Sequence, residues 1–358
     1  MHFDTTSTPL AYMGYVRKKY LFLTFLSGLV AACFAAAVSL GVVRVDIIAA
    51  IQGWISGLDP DRSQLVILQI RLPQALAAIA AGIGLSCAGA VMQSVLRNPL
   101  ASPFTLGISH AAAFGAACAV ILFGSGVMAS NSGEAVRISL PMVTILSAFS
   151  FSMATAGVII FIARRRGGSP QVLVLTGVAL GSLFSAGTML LQFFADDIQL
   201  AAMVFWTFGD LARAGWTDVN IIWGVTLLVY AFFTTNTRAY NAMTMGDDTA
   251  QSLGINPSRT RLVSMTIACM VTAVIISFVG IIGFVGLVAP HIVRRVIGDD
   301  HFFLLPASAA TGAVILLVSD TVARLVLLPH VLPVSILTAF LGAPVFIFLI
   351  LKGGHGES

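Results

Sequence analysis

Long apolar stretches separated by short polar breaks run along almost the whole sequence. A helix needs about 20 mostly apolar residues to cross the hydrocarbon core of a bilayer. Ten stretches come near this length, although the eighth is too short to cross as a plain helix: 20–43, 73–96, 104–124, 138–163, 172–195, 219–236, 261–281, 284–297, 304–328 and 334–351. The pattern therefore predicts an all-α membrane protein with about ten transmembrane helices.

Composition agrees with this prediction. Of the 358 residues, 58% are hydrophobic and only 9% are charged, and the mean hydropathy is +0.97. Soluble domains carry about 25% charged residues, so the expected solvent for most of this surface is membrane lipid. The net charge of +4 is too small to indicate nucleic acid as a partner. No long polar linker divides the chain, which predicts a single domain over 20–352 between tails at 1–19 and 353–358.

The distribution of basic residues predicts the orientation of the chain. Lysine and arginine are enriched in cytoplasmic loops. With the N-terminus inside, thirteen of the 19 basic residues lie on the cytoplasmic side and six on the other. Arg17, Lys18 and Lys19 precede a first stretch that is longer than the about 7–15 residues of a signal-peptide core. We therefore expect an uncleaved first span, both termini in the cytoplasm, and a multi-pass location in the cell inner membrane.

Four segments are polar or irregular where the surrounding sequence is apolar. They lie at 71–74 together with 97–103, at 241–255, at 283–301 and at 319–346. No G-x-x-x-x-G-K-[ST] loop occurs in the sequence, and that loop is the phosphate-binding element of P-loop ATPases. We therefore expect that the chain is not an enzyme, and that any ATP hydrolysis it depends on takes place in separate subunits.

Taken together, these motifs resemble one family. NPLASP at 98–103, GFVGLVAPHIVRR at 283–295 and LGAPVF at 341–346 occur in this order, as in the FecCD family of importer permeases for ferric siderophores, haem and cobalamin. The resemblance runs from about Arg71 to Lys352. It implies a type II ABC importer permease-like bundle of ten helices, with no cofactor. The implied partners are a second permease subunit (an identical copy or a homologue), two ATP-binding-cassette ATPases, and a periplasmic or surface-anchored substrate-binding protein.

The segment at about 240–256 is the candidate for contact with the ATPases. It is polar, lies on the predicted cytoplasmic side, and can form a short amphipathic helix that docks into a groove of a soluble partner. The resemblance implies that this is the coupling segment of the permease. The alternative is an ordinary solvated loop. The candidate contact residues are Gly246, Asp247, Ala250, Leu253 and Gly254.

Two arginines on the predicted outer side are candidates for docking the binding protein. The resemblance implies that Arg71 and Arg324 meet acidic residues of that protein, although Gln74 stands where a second arginine is common in the family. For Arg71 the alternative is that the side chain extends to the lipid headgroups. For Arg324 it is an ion pair with Asp320, four residues earlier on one helix face.

The loop that leads into the fifth predicted span contains Ser169, Pro170 and Gln171. The resemblance implies that this loop narrows the cytoplasmic end of the pathway as a gate, and that the fifth and tenth spans line the pathway. Turn formation is the alternative for these residue types.

Metal binding by the chain itself is not expected. His110, His291, His301 and the four cysteines show no ligand spacing, and zinc sites require such clusters. The expected substrate is a ferric siderophore, whose chelator already fills the coordination sphere of the iron, while haem, cobalamin and molybdate remain open. A rival hypothesis is an ion-coupled secondary transporter, which would need an acidic residue within the membrane. Asp320 is the candidate for that role.

Overall fold

The computed structural model describes residues 10–41, 62–128, 136–138, 140–165, 169–328 and 330–353, and the described chain is almost entirely helical. The first helices are α1 (Leu10–Ser39), α2 (Arg62–Val66), a π-helical turn (Ile67–Arg71), α3 (Leu72–Val95), α4 (Ile108–Phe123), α5 (Pro141–Arg165) and α6 (Pro170–Phe194). Further along the chain are α7 (Asp197–Thr207), a 3₁₀ turn (Leu211–Arg213), α8 (Trp216–Thr235), α9 (Thr237–Thr244), α10 (Asp247–Ser252), α11 (Pro257–Val279), α12 (Val285–Ile297), α13 (His301–Leu325) and α14 (Val334–Gly353).

One hairpin interrupts the helical pattern. Strands β1 (Gly126–Met128) and β2 (Val136–Ile138) pair antiparallel, with Val127 opposite Arg137. The fourth predicted span was expected to begin at residue 138, but α5 begins at Pro141, where a missing backbone N–H costs nothing in the first helical turn. Apart from this hairpin, the all-α prediction is confirmed for the described residues.

When helices are judged by length and hydropathy alone, fewer qualify as membrane spans than the ten that we predicted. Within the described chain, seven helices are long and apolar enough to cross a membrane. The third predicted span corresponds to the 16-residue α4 (Ile108–Phe123), and the tenth corresponds to the 20-residue α14 (Val334–Gly353). The eighth corresponds to the 13-residue α12, as its short apolar run predicted. The predicted N-terminal tail is helical from Leu10, while 1–9 and 354–358 of the two tails lie outside the described residues.

Helix α3 forms the centre of the bundle, and it packs against α8, α11, α12 and α13. Its backbone approaches two neighbours so closely that side chains would not fit between them. A Cβ added to Gly82 would lie 2.5 Å from the carbonyl oxygen of Gly312, and one added to Gly89 would overlap the backbone of Gly286. Small residues therefore allow the close helix contacts that hold a membrane bundle together, because lipid supplies no hydrophobic drive between helices.

The two ends of the bundle are distinct. At one end, which we call the α10 end, α9 and α10 lie beside the C-terminus of α3 and the N-terminus of α11. At the opposite end, which we call the arginine end, Arg71 and Arg324 join the N-terminus of α3 and the C-terminus of α13 to the C-terminus of α1. Lys19 of α1 lies 3.9 Å from Asp300 and places the N-terminal part of α1 at the α10 end.

Helix α6 packs on one face only. Leu173, Gly177 and Gly181 are buried, and a Cβ on Gly177 would lie 2.7 Å from Cα of Leu106, so this face fits closely against the start of α4. The opposite face is exposed and includes Leu175 and Met189. In a chain of this hydropathy, such a face is covered by lipid or by another subunit.

Candidate functional site

The segment between α9 and α11 has a defined fold. Gly246 and Gly254 flank α10 with φ values of +120° and +79°, which glycine adopts without the cost that a Cβ would impose. After α10, the backbone N–H of Ile255 donates to the carbonyl of Ala250 at 2.9 Å and closes the helix end. The side chain of Asn256 then accepts from the N–H of Arg259 at 3.0 Å and caps α11. The alternative of an ordinary solvated loop therefore does not describe this segment.

An arginine holds α10 against the bundle. Arg261 is buried, and its Nη2 donates to Oδ1 and Oδ2 of Asp247 at 2.8 and 3.0 Å. Its Nε donates to the carbonyl of Val95, at the end of α3, at 2.7 Å. A charged hydrogen bond of this kind is stronger than a neutral one. Asp247 therefore ties the start of α10 to α3 and α11 as an internal contact of the chain.

Helix α9 is anchored by a buried tyrosine. Tyr240 is fully buried, and its hydroxyl lies 3.1 Å from Oγ of Ser264 on α11. Burial raises the pKa of Tyr240 to about 12, with the hydrogen bond to Ser264 opposing this shift, so the hydroxyl is neutral at any physiological pH. Tyr240 therefore fixes the α9–α10 segment to the bundle in addition to the contact through Asp247.

The exposed surface of this segment differs from the predicted contact set. Gly246 and Ala250 are buried within the chain, so they shape the segment and present no side chain to a partner, which corrects that part of the prediction. Leu253 is 64% exposed, and Gly254 is exposed as well. Met245, which is 71% exposed, and the exposed Asp248 lie outside the predicted contact set. A cleft of about 530 Å³ borders this surface: it is lined by Asp247, Gln251, Gly254, Ile255, Asn256, Pro257, Ser258 and Arg261.

At the arginine end, Arg71 and Arg324 do not face outward. Arg71 is 4% exposed, and its Nη1 donates to the carbonyls of Val38 and Ser39 at 3.1 and 2.9 Å. Arg324 is 7% exposed, and its Nη2 donates to the carbonyl of Ala37 at 3.1 Å. Carbonyls in the last turn of a helix lack partners within the helix and carry partial negative charge. The two arginines therefore cap α1 in this structure, and a role for Arg71 and Arg324 in docking a binding protein stays a prediction.

The alternative stated for Arg324 is confirmed. Its Nε lies 3.1 Å from Oδ2 of Asp320, and Nε2 of Gln74 donates to Oδ1 of the same carboxylate at 2.8 Å. Oδ1 of Asp320 therefore has a hydrogen-bond partner, whereas Oδ2 is buried in an ion pair with Arg324 that lacks hydrogen-bond geometry.

A third arginine caps a helix that was not predicted. Asp196 and Gln199 form a capping box at the start of α7, and Arg213 donates to the carbonyls of Trp206 and Phe208 at its other end, at 3.2 and 3.0 Å. Burial lowers the pKa of Arg213, and Asp210 opposes that shift. Beside this helix lies a cavity of about 660 Å³, whose lining includes Trp206, Asp210, Arg213 and Asp218.

The predicted gate residues form a helix start. Oγ of Ser169 accepts from the N–H of Val172 at 3.4 Å, Pro170 occupies the first helical position of α6, and Gln171 is exposed. This is the turn chemistry given above as the alternative. It defines the entry of the chain into α6, and a gating role for Ser169, Pro170 and Gln171 stays a prediction.

The profile of the FecCD transport family matches residues 29–352. The chain belongs to this family. The match includes the α10 segment, both arginines of the arginine end, and all three motifs on which the resemblance was based.

Relatives from the FecCD family and one solved structure are similar to this chain over most of its length. A protein of Methanocaldococcus jannaschii named as an ABC transporter permease is 48% identical over 96% of this chain and 98% of its own. The permease protein of an Fe(3+)-citrate import system of Bacillus subtilis is 37% identical over 80% of this chain and 82% of its own. A cobalamin import permease of Halobacterium salinarum is 35% identical, over 81% and 74%. The solved structure of a metal-chelate type ABC transporter in an inward-facing conformation is 30% identical, with a TM-score of 0.78 over 92% of this chain and 98% of that one.

As a member of the FecCD family, the chain is an integral membrane protein of the plasma membrane and a transport subunit. In the part of the chain that the structure describes, no group of three or more His, Cys, Asp or Glu side chains could hold a metal ion. His291 and His301 both lie at the α10 end, on α12 and at the start of α13, and His110 lies on α4.

Proposed function

We propose that this chain is the pathway-forming permease of an ATP-driven importer for a metal chelate, with a ferric siderophore as the leading substrate. Membership of the FecCD family makes it an ABC importer permease. The observation that carries the proposal furthest is the folded α10 segment, which Arg261 holds against α3 while Met245 and Leu253 remain exposed. An exposed apolar pair on a rigidly held element is suited to a groove on a soluble ATPase.

The α10 end is proposed to face the cytoplasm, where two ATPase subunits would bind. Most of the basic residues lie at this end by the predicted topology, as the positive-inside rule requires. With ten membrane-crossing or membrane-entering helices, both termini lie on this side. Cysteines placed at the exposed positions Ser252 and Asp197 are expected to react with an impermeant thiol reagent only from inside and only from outside, respectively. The unaltered chain, which has four cysteines of its own, is the control, and the reverse pattern would overturn the orientation.

A second permease subunit would cover the exposed face of α6. That face contains Ala179, Ser182 and Ala186 between larger apolar residues, and all three are exposed. Small residues at this spacing allow close approach of a partner helix, and a hydroxyl such as that of Ser182 is tolerated where a face borders a polar pathway. We infer a homodimer with α6 near its axis, and Ser169, Pro170 and Gln171 near the inner mouth of the pathway.

We also propose that a binding protein delivers the substrate. Arg71 and Arg324 are buried in this conformation, and their contact with that protein stays a prediction. The relatives include permeases for Fe(3+)-citrate and cobalamin, which are large metal chelates with their own ligands. Cobalamin and, from a hemin permease among the relatives, haem are alternative substrates. Molybdate is a further alternative that no named relative supports. Because a chelate of this kind supplies its own metal ligands, the permease has to provide a passage of suitable size and no ligands for the metal.

The test is uptake by proteoliposomes that contain the permease with its ATPase and binding protein. Radiolabelled ferric siderophore, ferric citrate, haem and cobalamin are offered in turn. We expect ATP-dependent uptake of one chelate class, and no uptake when the ATPase is left out. Uptake that a proton or sodium gradient drives without the ATPase would contradict the proposal and support the secondary transporter.

A further inference from the structure

A chain of polar side chains, in which Ser94 and His301 are buried and Asn241 and Arg294 are half-buried, crosses the α10 end and joins four helices. His301, at the start of α13, is fully buried between two partners. Its Nδ1 lies 2.7 Å from Oδ1 of Asn241 on α9, and its Nε2 lies 2.5 Å from Oγ of Ser94 on α3. Nη2 of Arg294, on α12, donates to the same Ser94 Oγ at 3.2 Å. The contacts connect α12, α3, α13 and α9 through side chains alone.

The direction of each hydrogen bond follows from the groups involved. Oδ1 of Asn241 also accepts from the backbone N–H of His301 at 2.8 Å, and its Nδ2 donates to Oδ1 of Asp300 at 2.9 Å, so the amide orientation is fixed. Oδ1 can only accept, and therefore Nδ1 of His301 carries the proton. The hydroxyl of Ser94 lies 3.0 Å from the carbonyl of Ala90 as well as 2.5 Å from Nε2 of the neutral ring, so its one proton is shared between these two acceptors, while its oxygen accepts from Arg294.

Further ion pairs and an aromatic ring surround these residues. Oδ2 of Asp300 lies 3.9 Å from Nζ of Lys19 on α1, and Nε of Arg294 lies 2.8 Å from Oδ1 of Asp299. The ring of Tyr240, one residue before Asn241, packs on the His301 ring with centroids 5.8 Å apart. A buried network with every member partnered is rigid, because each rearrangement leaves a polar group without its hydrogen bond.

We propose that His301 is a positioning residue that transmits displacement of the α9–α10 segment to α3, α12 and α13. The imidazole can do this because its two nitrogens bond in opposite directions, to Asn241 on the segment side and to Ser94 on the bundle side. Met245 and Gly246 alone separate α9 from α10, so a force on α10 reaches Asn241 within a few residues. This inference rests on the proposed function, since it assigns a route for coupling within an ATP-driven importer.

The experiment measures substrate imported per ATP hydrolysed in proteoliposomes of the complete complex. His301→Phe keeps a planar ring without hydrogen bonds, Ser94→Ala removes the bundle-side bond, and Asn241→Ala removes the segment-side bond. We expect import per ATP to fall about five- to tenfold in each, since coupling free energies between sites have this order. Asn241→Ala combined with Ser94→Ala should cost little more than either alone, because both break the same route.

Ser86→Ala is the matched control. Ser86 is also a buried serine of α3, but its Oγ bonds only to carbonyls of its own helix, those of Gly82 and Ile83 at 2.6 and 3.1 Å. We expect its import per ATP to stay within twofold of the unaltered complex. If His301→Phe does not assemble with the ATPase, Ser94→Ala decides the outcome.

Two results would separate the inference from the proposed function. Lower thermal stability with an unchanged import-to-ATP ratio in Ser94→Ala and Asn241→Ala would overturn the transmission role of His301 and leave the importer intact. Absence of ATP-dependent import in the unaltered complex would instead overturn the proposed function itself.

Discussion

The two ends of the bundle use buried arginine in different ways. At the arginine end, Arg71, Arg213 and Arg324 donate to carbonyls in the last turns of α1 and α7. At the α10 end, Arg261 and Arg294 also donate to carbonyls near the end of α3, but in addition they bond to side chains from other helices, including Asp247 and Ser94. A bond to a helix-end carbonyl fixes where that helix stops, whatever the neighbouring sequence is. A bond to a side chain depends on the identity of both residues, so the α10 end is where substitutions can alter how helices are connected.

The largest expected effect comes from Arg261→Ala. The change leaves the carbonyl of Val95 without its buried donor and frees Asp247 from the bundle. Removing one partner of a buried pair costs about 3–5 kcal/mol, and less here because Asp247 is 39% exposed. We expect association with the ATPase to weaken at least tenfold, measured by co-purification and by titration of ATPase activity.

Arg259→Ala is the control for this variant, because Arg259 is exposed and lies two residues earlier on the same helix. It should bind the ATPase as the unaltered chain does. Equal losses in both variants would show that the α10 end responds to charge alone, and that the bond between Arg261 and Asp247 has no special part in holding the segment.

A smaller effect is expected from Arg324→Lys at the arginine end. Lysine keeps the positive charge beside Asp320 but cannot reach the carbonyls of Ala37 and Leu40 at the same time. The loss of one or two hydrogen bonds should lower the free energy of unfolding by about 1–2 kcal/mol. Because the side chain is buried, we expect affinity for the binding protein to stay within twofold, measured by surface-immobilised titration alongside thermal unfolding.

The opposite outcome for Arg324→Lys would be equally informative. A tenfold or greater loss of binding-protein affinity at unchanged thermal stability would mean that Arg324 turns outward in the docked complex. The docking role that the family resemblance implied would then be restored, and the contrast between the two ends would apply only to the undocked permease.

How much of the fold could be predicted depended on the length of each apolar run in the sequence. The long apolar runs located α1, α3, α5, α6, α8, α11 and α13, because some 20 apolar residues leave few alternatives. The 11-residue α7 was missed, although Asp196 and Gln199 mark its start, because a search for spans does not register so short a helix. The hairpin of β1 and β2 was missed for the same reason, since three-residue strands carry almost no pattern.

The sequence predicted where the candidate sites lie along the chain, but not which of their side chains are buried and which are exposed. The sequence located the α10 segment, yet it could not show that Ala250 faces inward and Met245 outward, because six helical residues give no reliable period. It placed Arg71 and Arg324 at one end, but burial depends on where the end of α1 lies, which is a tertiary property. The sequence could not show the partners of His301, since Ser94 is 207 positions away and Asn241 is 60 positions away.

The smallest expected effect belongs to Asp248→Lys, and it tests whether neighbouring carboxylates on α10 differ as the structure implies. Asp248 is exposed, whereas Asp247 holds Arg261. An exposed charge contributes about 0–1 kcal/mol to an ion pair and is screened by salt. Reversal of the charge at 248 should therefore weaken ATPase association less than about fivefold in dilute buffer and hardly at all at 0.5 M salt. Asp247→Asn should weaken it at both salt concentrations, because the bond that it disturbs lies against the buried guanidinium of Arg261. If the two variants showed the same salt dependence, Asp247 would behave as a surface charge, and the attachment of α10 would have to be assigned to Tyr240 and the buried Ala250 instead.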